Sequence, residues 1–239
     1  MAALLSESGV LGIIGPVEAG DAKLYIDGFI SGAKATKPDI QTNVIYPGSF
    51  GDTALAAEAA NTQIAAGADT LTGSAQQVVG AIGVAKEKGA NWFGTQSDQS
   101  SLAPEAVVAT QVFDWVAVVK DMMALHNAGT FGGKAYTLTL ANDGLKIVWN
   151  PGVEVPADVK AAADKAIQDV KDGTVQALRR GFAIAGCGHI DLSEAAPEDA
   201  RNAEGVAREV NEFMQGVLGA ADPRQAGKDV TVLAALDKA

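Results

Sequence analysis

VLGIIGPVEAGDAKLYIDGFISGAKA, residues 10–35, is the stretch on which the fold turns. Its first five residues, Val10 to Ile14, form a short apolar run bounded by glycines, the pattern of a buried strand. Gly15-Pro16 then interrupts any regular hydrogen-bonded ladder. From about Asp21 to Ala35 the apolar residues return at helical spacing: Tyr25 and Phe29 share one face, with Ile26, Ile30 and Ala33 close beside them. Lys37-Pro38-Asp39 ends that helix, since a residue before proline is pushed out of the α region. Thr42 to Tyr46 reads as a second strand. Strand starts about 30 residues apart match the length of a β-α repeat, and parallel strands need such a crossover.

The same alternation continues along the chain. Thr53 to Ala66 reads as a helix closed by Gly67, and Asp69 to Thr72 as a third strand. Gln76 to Lys88 is a helix with Val78, Ile82 and Ala85 on one face and Gly89 at its end. Trp92 to Thr95 and Val107 to Val112 are a fourth and a fifth strand. Asp114 caps a following helix whose Val118, Val119, Met122 and Leu125 are expected to pack inward. Ala135 to Leu140 is expected as a sixth strand with Tyr136, Leu138 and Leu140 on one side. Pro156 opens a helix running to Asp172 ahead of Gly173, and Pro197 to Leu218 reads as another with Val206, Val210, Phe213 and Val217 as its stripe. Residues 220–239 read as loop with a short strand or helix. Successive strand–helix units predict an α/β fold with a doubly wound parallel sheet. Such sheets bind ligands outside the C-terminal strand ends. The loops there are Gly15-Pro16-Val17-Glu18, Pro47-Gly48-Ser49-Phe50, Gly73-Ser74, Gln96-Ser97-Asp98-Gln99 and Phe113-Asp114.

Composition narrows the partners. Of 239 residues, 48% are apolar, enough for a sizeable core, while only 5% are aromatic; small Ala and Gly residues suit close helix–sheet packing. The net charge of −11 repels phosphate backbones and anionic lipid, so neither nucleic acid nor a membrane surface is an expected partner. The apolar runs are too short for a bilayer span. The N-terminal residues lack the basic and apolar regions of a secretory signal, which taken literally describes a cytoplasmic chain. The single cysteine, Cys187, excludes an intramolecular disulfide.

Residues for catalysis are sparse. Gly9, Gly12 and Gly15 have the wrong spacing for a dinucleotide fingerprint, and Gly9 precedes the strand rather than following it. Neither a phosphate-binding Gly-Lys-Ser/Thr loop nor a Gly-x-Ser-x-Gly elbow is present. His126 lies near a helix C-terminus, where an imidazole suits the dipole. Cys187-Gly188-His189 lacks the further ligands that zinc requires. Glu198 with Asp199, and Asp21 with Asp27, read as solvated helix faces. No nucleophile, base and orienting group come together, so the sequence points to binding rather than catalysis, with no cofactor or metal.

Several longer stretches carry a family likeness. GPVEAGDAKLYIDGF (residues 15–29), YPGSFGD (46–52) and SDQSSLAP (97–104) resemble the basic membrane protein family, the solute-binding lipoproteins of ABC importers that include purine-nucleoside receptors. AKEKG (85–89) and GTFGGKAYTL (129–138) extend the resemblance in register from about Ala2 to Val170. It implies a periplasmic-binding type I fold of two doubly wound lobes with the solute trapped between them. Met1 then falls on the last helix of the first lobe. Residues 1–134 are expected to form the ligand-binding lobe and 135–178 a segment returning toward the first lobe, with 179–239 unassigned. The resemblance also implies a cell-envelope location, and strands, signal and lipid-attachment cysteine encoded upstream.

Carried over residue by residue, the resemblance puts the aromatic of the family's Gly-Ser-Phe loop at Phe50, where a ring can stack on a flat base. The family's Asp-Ser-Asp-Gln turn stands here as Gln96-Ser97-Asp98-Gln99. Asp98 keeps a carboxylate suited to vicinal hydroxyls, and Gln99 accompanies it. Ser74 and Ala75 fall where the family turns a helix N-terminus of small residues to its ligand, and Asp114 where a polar side chain lines the cleft. The family lysine after its Tyr-x-Leu-x-Leu strand is replaced by Ala141, with Asn142 and Asp143 beyond. The implied function is capture of a purine-nucleoside-like or sugar-like solute for delivery to ABC permease subunits. Two rivals are a cytoplasmic small-molecule sensor, which would need an output module, and a small α/β nucleoside-processing enzyme, which would show turnover.

Overall fold

A computed structural model describes residues 1–175. The expected helix at 197–218, the Cys187–His189 stretch and the Glu198–Asp199 pair lie outside the described residues. Six strands form one sheet: β1 (Val10–Ile14), β2 (Gln41–Ile45), β3 (Thr70–Gly73), β4 (Asn91–Gln96), β5 (Val107–Phe113) and β6 (Leu145–Trp149). Their spatial order is β2-β1-β3-β4-β5-β6. The first five are parallel and β6 runs antiparallel to β5, so the doubly wound parallel sheet carries one antiparallel edge. The helices are α1 (Ala2–Leu5), α2 (Gly20–Thr36), α3 (Thr53–Ala65), α4 (Val78–Lys88), α5 (Val116–Asn127) and α6 (Ala157–Lys171). None of these helices is long and apolar enough to cross a membrane.

Helices cover both faces. On one, Ala56, Ala59 and Ala60 of α3 and Ala81, Ile82 and Ala85 of α4 pack with Ile14, Leu71, Trp92 and Val107. On the other, Ala2, Ala3 and Ala33 join Leu11, Phe93, Val108 and Ala109. Neighbours Trp92 and Phe93 enter opposite cores, as do Val107 and Val108, because successive strand side chains alternate between faces. The small side chains let α3 and α4 approach closely: a Cβ at Gly80 would collide with the Thr53 carbonyl oxygen. Gly89 ends α4 in the left-handed region at φ +70°, the conformation that glycine adopts without steric cost.

Asp69 ties the N-terminal segment to the start of β3. Its carboxylate accepts from Ser6 Oγ, Glu7 N–H and Ser8 N–H, each at 2.7 Å. Burial alone would raise its pKa, but bonds from Ser8, Ser6 and Glu7 prevail and hold it below the usual carboxylate range.

Two expectations fail. Ala135 to Leu140 is not a strand; the sixth strand comes later, at Leu145–Trp149. The backbone around 137–144 is tied to side chains instead: Asn142 accepts from Thr139 N–H and Gly144 N–H and donates to the Thr137 carbonyl. Lys134 and Tyr136 are drawn to Asp121 of α5 at 2.6 and 2.5 Å. The open edge of β5 is filled by Leu145–Trp149. The second failure concerns α5, which buries no residue; Val119 is 49% and Met122 54% exposed. Helical periodicity reports that an apolar stripe exists, not that a partner within the described residues covers it.

Candidate functional site

The strand order reverses between β1 and β3, which places the topological switch point there, and the loops leaving β1, β3 and β4 gather at that end of the sheet. Backbone bonds knit these loops together. Gly15 N–H donates to Ile45 O at 3.0 Å, Gly48 N–H to Pro16 O at 2.9 Å, and Ser74 N–H to Ile14 O at 3.1 Å. Two residues there occupy the left-handed region without being glycine: Ala75 (φ +71°) directly beyond β3 and Gln96 (φ +77°) at the end of β4. Such conformations cost on the order of 1–3 kcal/mol each and concentrate at functional sites. Here they fall at the same end of adjacent parallel strands.

Phe50 stands on the loop after β2 and is 55% exposed. The loop beneath it is built to hold its shape. Ser49 Oγ accepts from Asp52 N–H at 3.0 Å, and Asp52 caps α3 by accepting from Ala54 and Leu55 N–H. The Phe50 carbonyl accepts from Gln77 N–H at 2.9 Å, which anchors the loop to the start of α4. The ring is thus displayed on a braced backbone, as stacking on a flat ligand requires.

Asp98, on the loop after β4, is also exposed. Its Oδ1 accepts from the Ser100 hydroxyl at 2.6 Å and from Ser100 N–H at 2.9 Å. Those bonds, the hydroxyl first, hold the Asp98 carboxyl below the usual carboxylate range, so it is anionic at neutral pH. Both bonds fall on Oδ1, and among the described residues none donates to Oδ2. Gln99, its neighbour, is only 7% exposed and is turned into the protein: Oε1 accepts from Trp92 Nε1 at 2.8 Å and Nε2 donates to Thr95 O at 3.1 Å.

Ser74 lies buried at the end of β3, its Oγ without a hydrogen-bond partner among the described residues. Gln77, which sequence reasoning passed over, is fully buried at the start of α4, and both ends of its amide lack a hydrogen-bond partner among the described residues. A polar residue at a helix start reads as an ordinary cap, so nothing local marked it.

Asp114 and Asn142 are committed to internal contacts. Asp114 pairs through Oδ2 with Lys146 Nζ at 2.5 Å and accepts from Val116 N–H through Oδ1 at 3.0 Å. The Lys146 ammonium beside it holds the Asp114 carboxyl below the ordinary range. Asn142 spends its amide on Thr137, Thr139 and Gly144. The structure therefore brings Phe50 and Asp98 to the loop cluster as exposed candidate contact groups with Ser74 buried beside them, while Gln99, Asp114 and Asn142 brace backbone. Lys146 was also missed. It lies on β6, within an apolar run that the sequence reading did not assign as a strand, and it supplies a cation beside Asp114 where the family lysine is absent.

The chain is 29% identical over 173 residues to a purine-binding protein of Brucella abortus (strain 2308), covering 72% of this chain and 49% of that protein. It is 27% identical over 198 residues to an ABC transporter nucleoside-binding protein of Lactococcus lactis subsp. cremoris, covering 73% of this chain and 54% of the relative. It spans about half the length of these curated relatives. Among solved structures, an ABC transporter solute-binding protein from Conexibacter woesei superposes with a TM-score of 0.61 at 22% identity, covering 73% of this chain and 59% of the other; that likeness concerns the fold. These are solute-binding proteins rather than enzymes. Residues 1–176 match the family model described as "ABC transporter substrate-binding protein PnrA-like", and on that match the chain belongs to the Bmp family of ABC transporter substrate-binding proteins.

Proposed function

We propose that this chain contributes one wall of a cleft that captures a purine-nucleoside-like or sugar-like solute in the cell envelope and delivers it to ABC permease subunits. Asp98 carries the reading: an exposed carboxylate, held anionic by Ser100, with one oxygen left for vicinal hydroxyls. Phe50 stacks on a planar base or on the apolar face of a sugar, and the loop around Ser74 and Ala75 lines the floor at the switch point. A second lobe closes over the opposite side of the solute by hinged motion, so selectivity comes from stacking plus a few directed hydrogen bonds. The purine-binding and nucleoside-binding relatives support this solute class.

Calorimetric titration of the chain with adenosine, inosine and ribose tests the proposal. One wall alone predicts weak binding, and a chain extended to the relatives' length predicts much tighter binding. Sub-micromolar affinity in the present chain would refute the half-cleft picture. Hydrolysis of the nucleoside would refute the binding reading itself.

A further inference from the structure

We infer that Gln99 is a positioning residue: a buried peg that fixes the Asp98 loop to strand β4, and so sets where the carboxylate meets solute. The inference rests on the solute-binding reading above for its functional consequence and on geometry for the rest.

The positive φ of Gln96 turns the chain out of β4, and residues 97–99 double back over the strand they have just left. Asp98 and Gln99 are neighbours with opposite fates, one exposed and the other 7% exposed. The Gln99 side chain lies back along β4. Its Nε2 donates to Thr95 O at 3.1 Å, and its Oε1 reaches the indole Nε1 of the fully buried Trp92 at 2.8 Å. Residues 92 and 94 share a face of the strand, so the amide passes over position 94 on its way to the indole. Gly94 makes this possible: a Cβ there would run into Gln99 Oε1 and crowd Thr110 Oγ1, the group opposite it on β5. The Gln99 carbonyl also accepts from Leu102 N–H at 3.0 Å, which carries the anchorage into the next turn.

Both functional ends of the amide are thus used inside the protein. A primary amide with donor and acceptor engaged and buried has little left for a ligand. Its effect on a solute is exerted through the backbone that Asp98 shares with it. The arrangement also explains why a polar residue is buried beside the tryptophan: the indole N–H is a buried donor that needs an acceptor, and Gln99 supplies it.

The test compares wild type with Gln99→Met, which keeps the length of the side chain and loses both hydrogen bonds. Gln99→Leu serves as a second variant, close to glutamine in volume and likewise without either hydrogen bond, and it leaves Trp92 in place. Native-state hydrogen exchange is read at the amides of Ser97, Ser100 and Leu102, and, as reference, at Ile13 and Leu71 in the central strands. The expected result is exchange at least about tenfold faster in residues 97–102, with the reference amides changed less than about twofold. Tenfold corresponds to about 1.4 kcal/mol, the order expected for loss of one or two buried hydrogen bonds. Gln99→Leu should shift the same amides by a similar factor. Unchanged exchange at 97–102, or an equal rise at the central strands, would overturn the inference, since Gln99 would then be either idle or merely part of the core. Adenosine titration of the same proteins separates the two readings. If the wild-type chain, and the chain extended to the relatives' length, take up neither adenosine nor ribose, the solute reading fails while the exchange result still decides the role of Gln99. If either form binds adenosine, Gln99→Met made in it should weaken that binding by about the factor seen in loop exchange.

Discussion

Replacing Gly80 by alanine should destabilise the protein, whereas the same change at Gly83, three residues along the same helix, should stabilise it. Within a helix, alanine is ordinarily favoured over glycine by about 0.5–1 kcal/mol, because glycine loses more backbone freedom on folding. At Gly83 no atom of the described residues lies within 4 Å of the added Cβ, so this gain should appear in full. At Gly80 the added Cβ would overlap the carbonyl oxygen of Thr53, with that residue's carbonyl carbon 2.8 Å and Cα 3.2 Å away. All three are backbone atoms at the capped first turn of α3, so no side chain can rotate aside. The neighbours that seat the two helices include Ala56, Ala59, Ala60 and Ala81, which have no rotamers with which to adjust. Helix α3 must therefore shift as a unit. Overpacking costs about 1–3 kcal/mol, and a collision with fixed backbone belongs to the upper part of that range, about 2–3 kcal/mol, so subtracting the helix-propensity gain leaves a net loss of about 1–2.5 kcal/mol. At about 2–4 °C per kcal/mol for a domain of this size, Gly80→Ala should lower Tm by roughly 2–10 °C, and Gly83→Ala should raise it by roughly 1–4 °C. Thermal unfolding followed by circular dichroism at 222 nm, with wild type beside both variants, reads the two signs. A Gly80→Ala protein as stable as Gly83→Ala would refute the argument, because α3 and α4 would then not meet backbone to backbone.

Other outcomes follow from the same structure. Asp98→Asn should leave Tm within about 1 °C and abolish most solute affinity in the form of the chain that binds, measured by calorimetry with adenosine; an unchanged affinity would remove Asp98 from the site. Because Ser100 depresses the Asp98 pKa, the anion persists below the usual carboxylate range. Affinity should therefore hold as the pH is lowered through the range of an ordinary aspartate and fall only below it. Asp69→Ala should destabilise by about 1–3 kcal/mol in urea titration, through loss of three hydrogen bonds on a partly exposed carboxylate. The Asp69 contribution is present above the unfolded-state pKa and disappears as the pH falls through its depressed folded value, so wild type and variant should converge in acid. Val119→Ser on α5 should cost less than about 0.5 kcal/mol, while Val159→Ala on α6, at a site 6% exposed, should cost about 1–2 kcal/mol.

How much of the site was legible depended on how each residue acts. Phe50 and Asp98 could be proposed from the chain because their loops carry recognisable stretches, and the structure shows both side chains exposed. Gln99 stood in that loop as an expected contact group, but nothing in the string Ser-Asp-Gln tells which neighbour turns inward, and in the structure it is Gln99. Asp114 was placed correctly at the end of β5, but its partner Lys146 lies 32 residues further on and faces it only when β6 pairs with β5. Gln77 gave no signal, because an unpaired amide is a property of its surroundings rather than of its residue type.

The alternation of short apolar runs with helical stripes determined, by itself, the parallel strands and the helices between them through α4, because those units are set by local periodicity and by Gly and Pro at their ends. It also determined the end of the sheet at which the loops gather, since every parallel strand must deliver its following loop to the same side. Only the tertiary structure decided the antiparallel edge. Ala135 to Leu140 has as good a strand pattern as Leu145 to Trp149, and the choice fell to the segment that can reach the hydrogen-bonding groups of β5 while Asn142 and Asp121 hold the other in a loop. The exposure of α5 and the burial of Gln99 were decided in the same way: a stripe of apolar residues or a single amide acquires its role from what lies opposite it in space, and that is not written in the neighbouring residues of the chain.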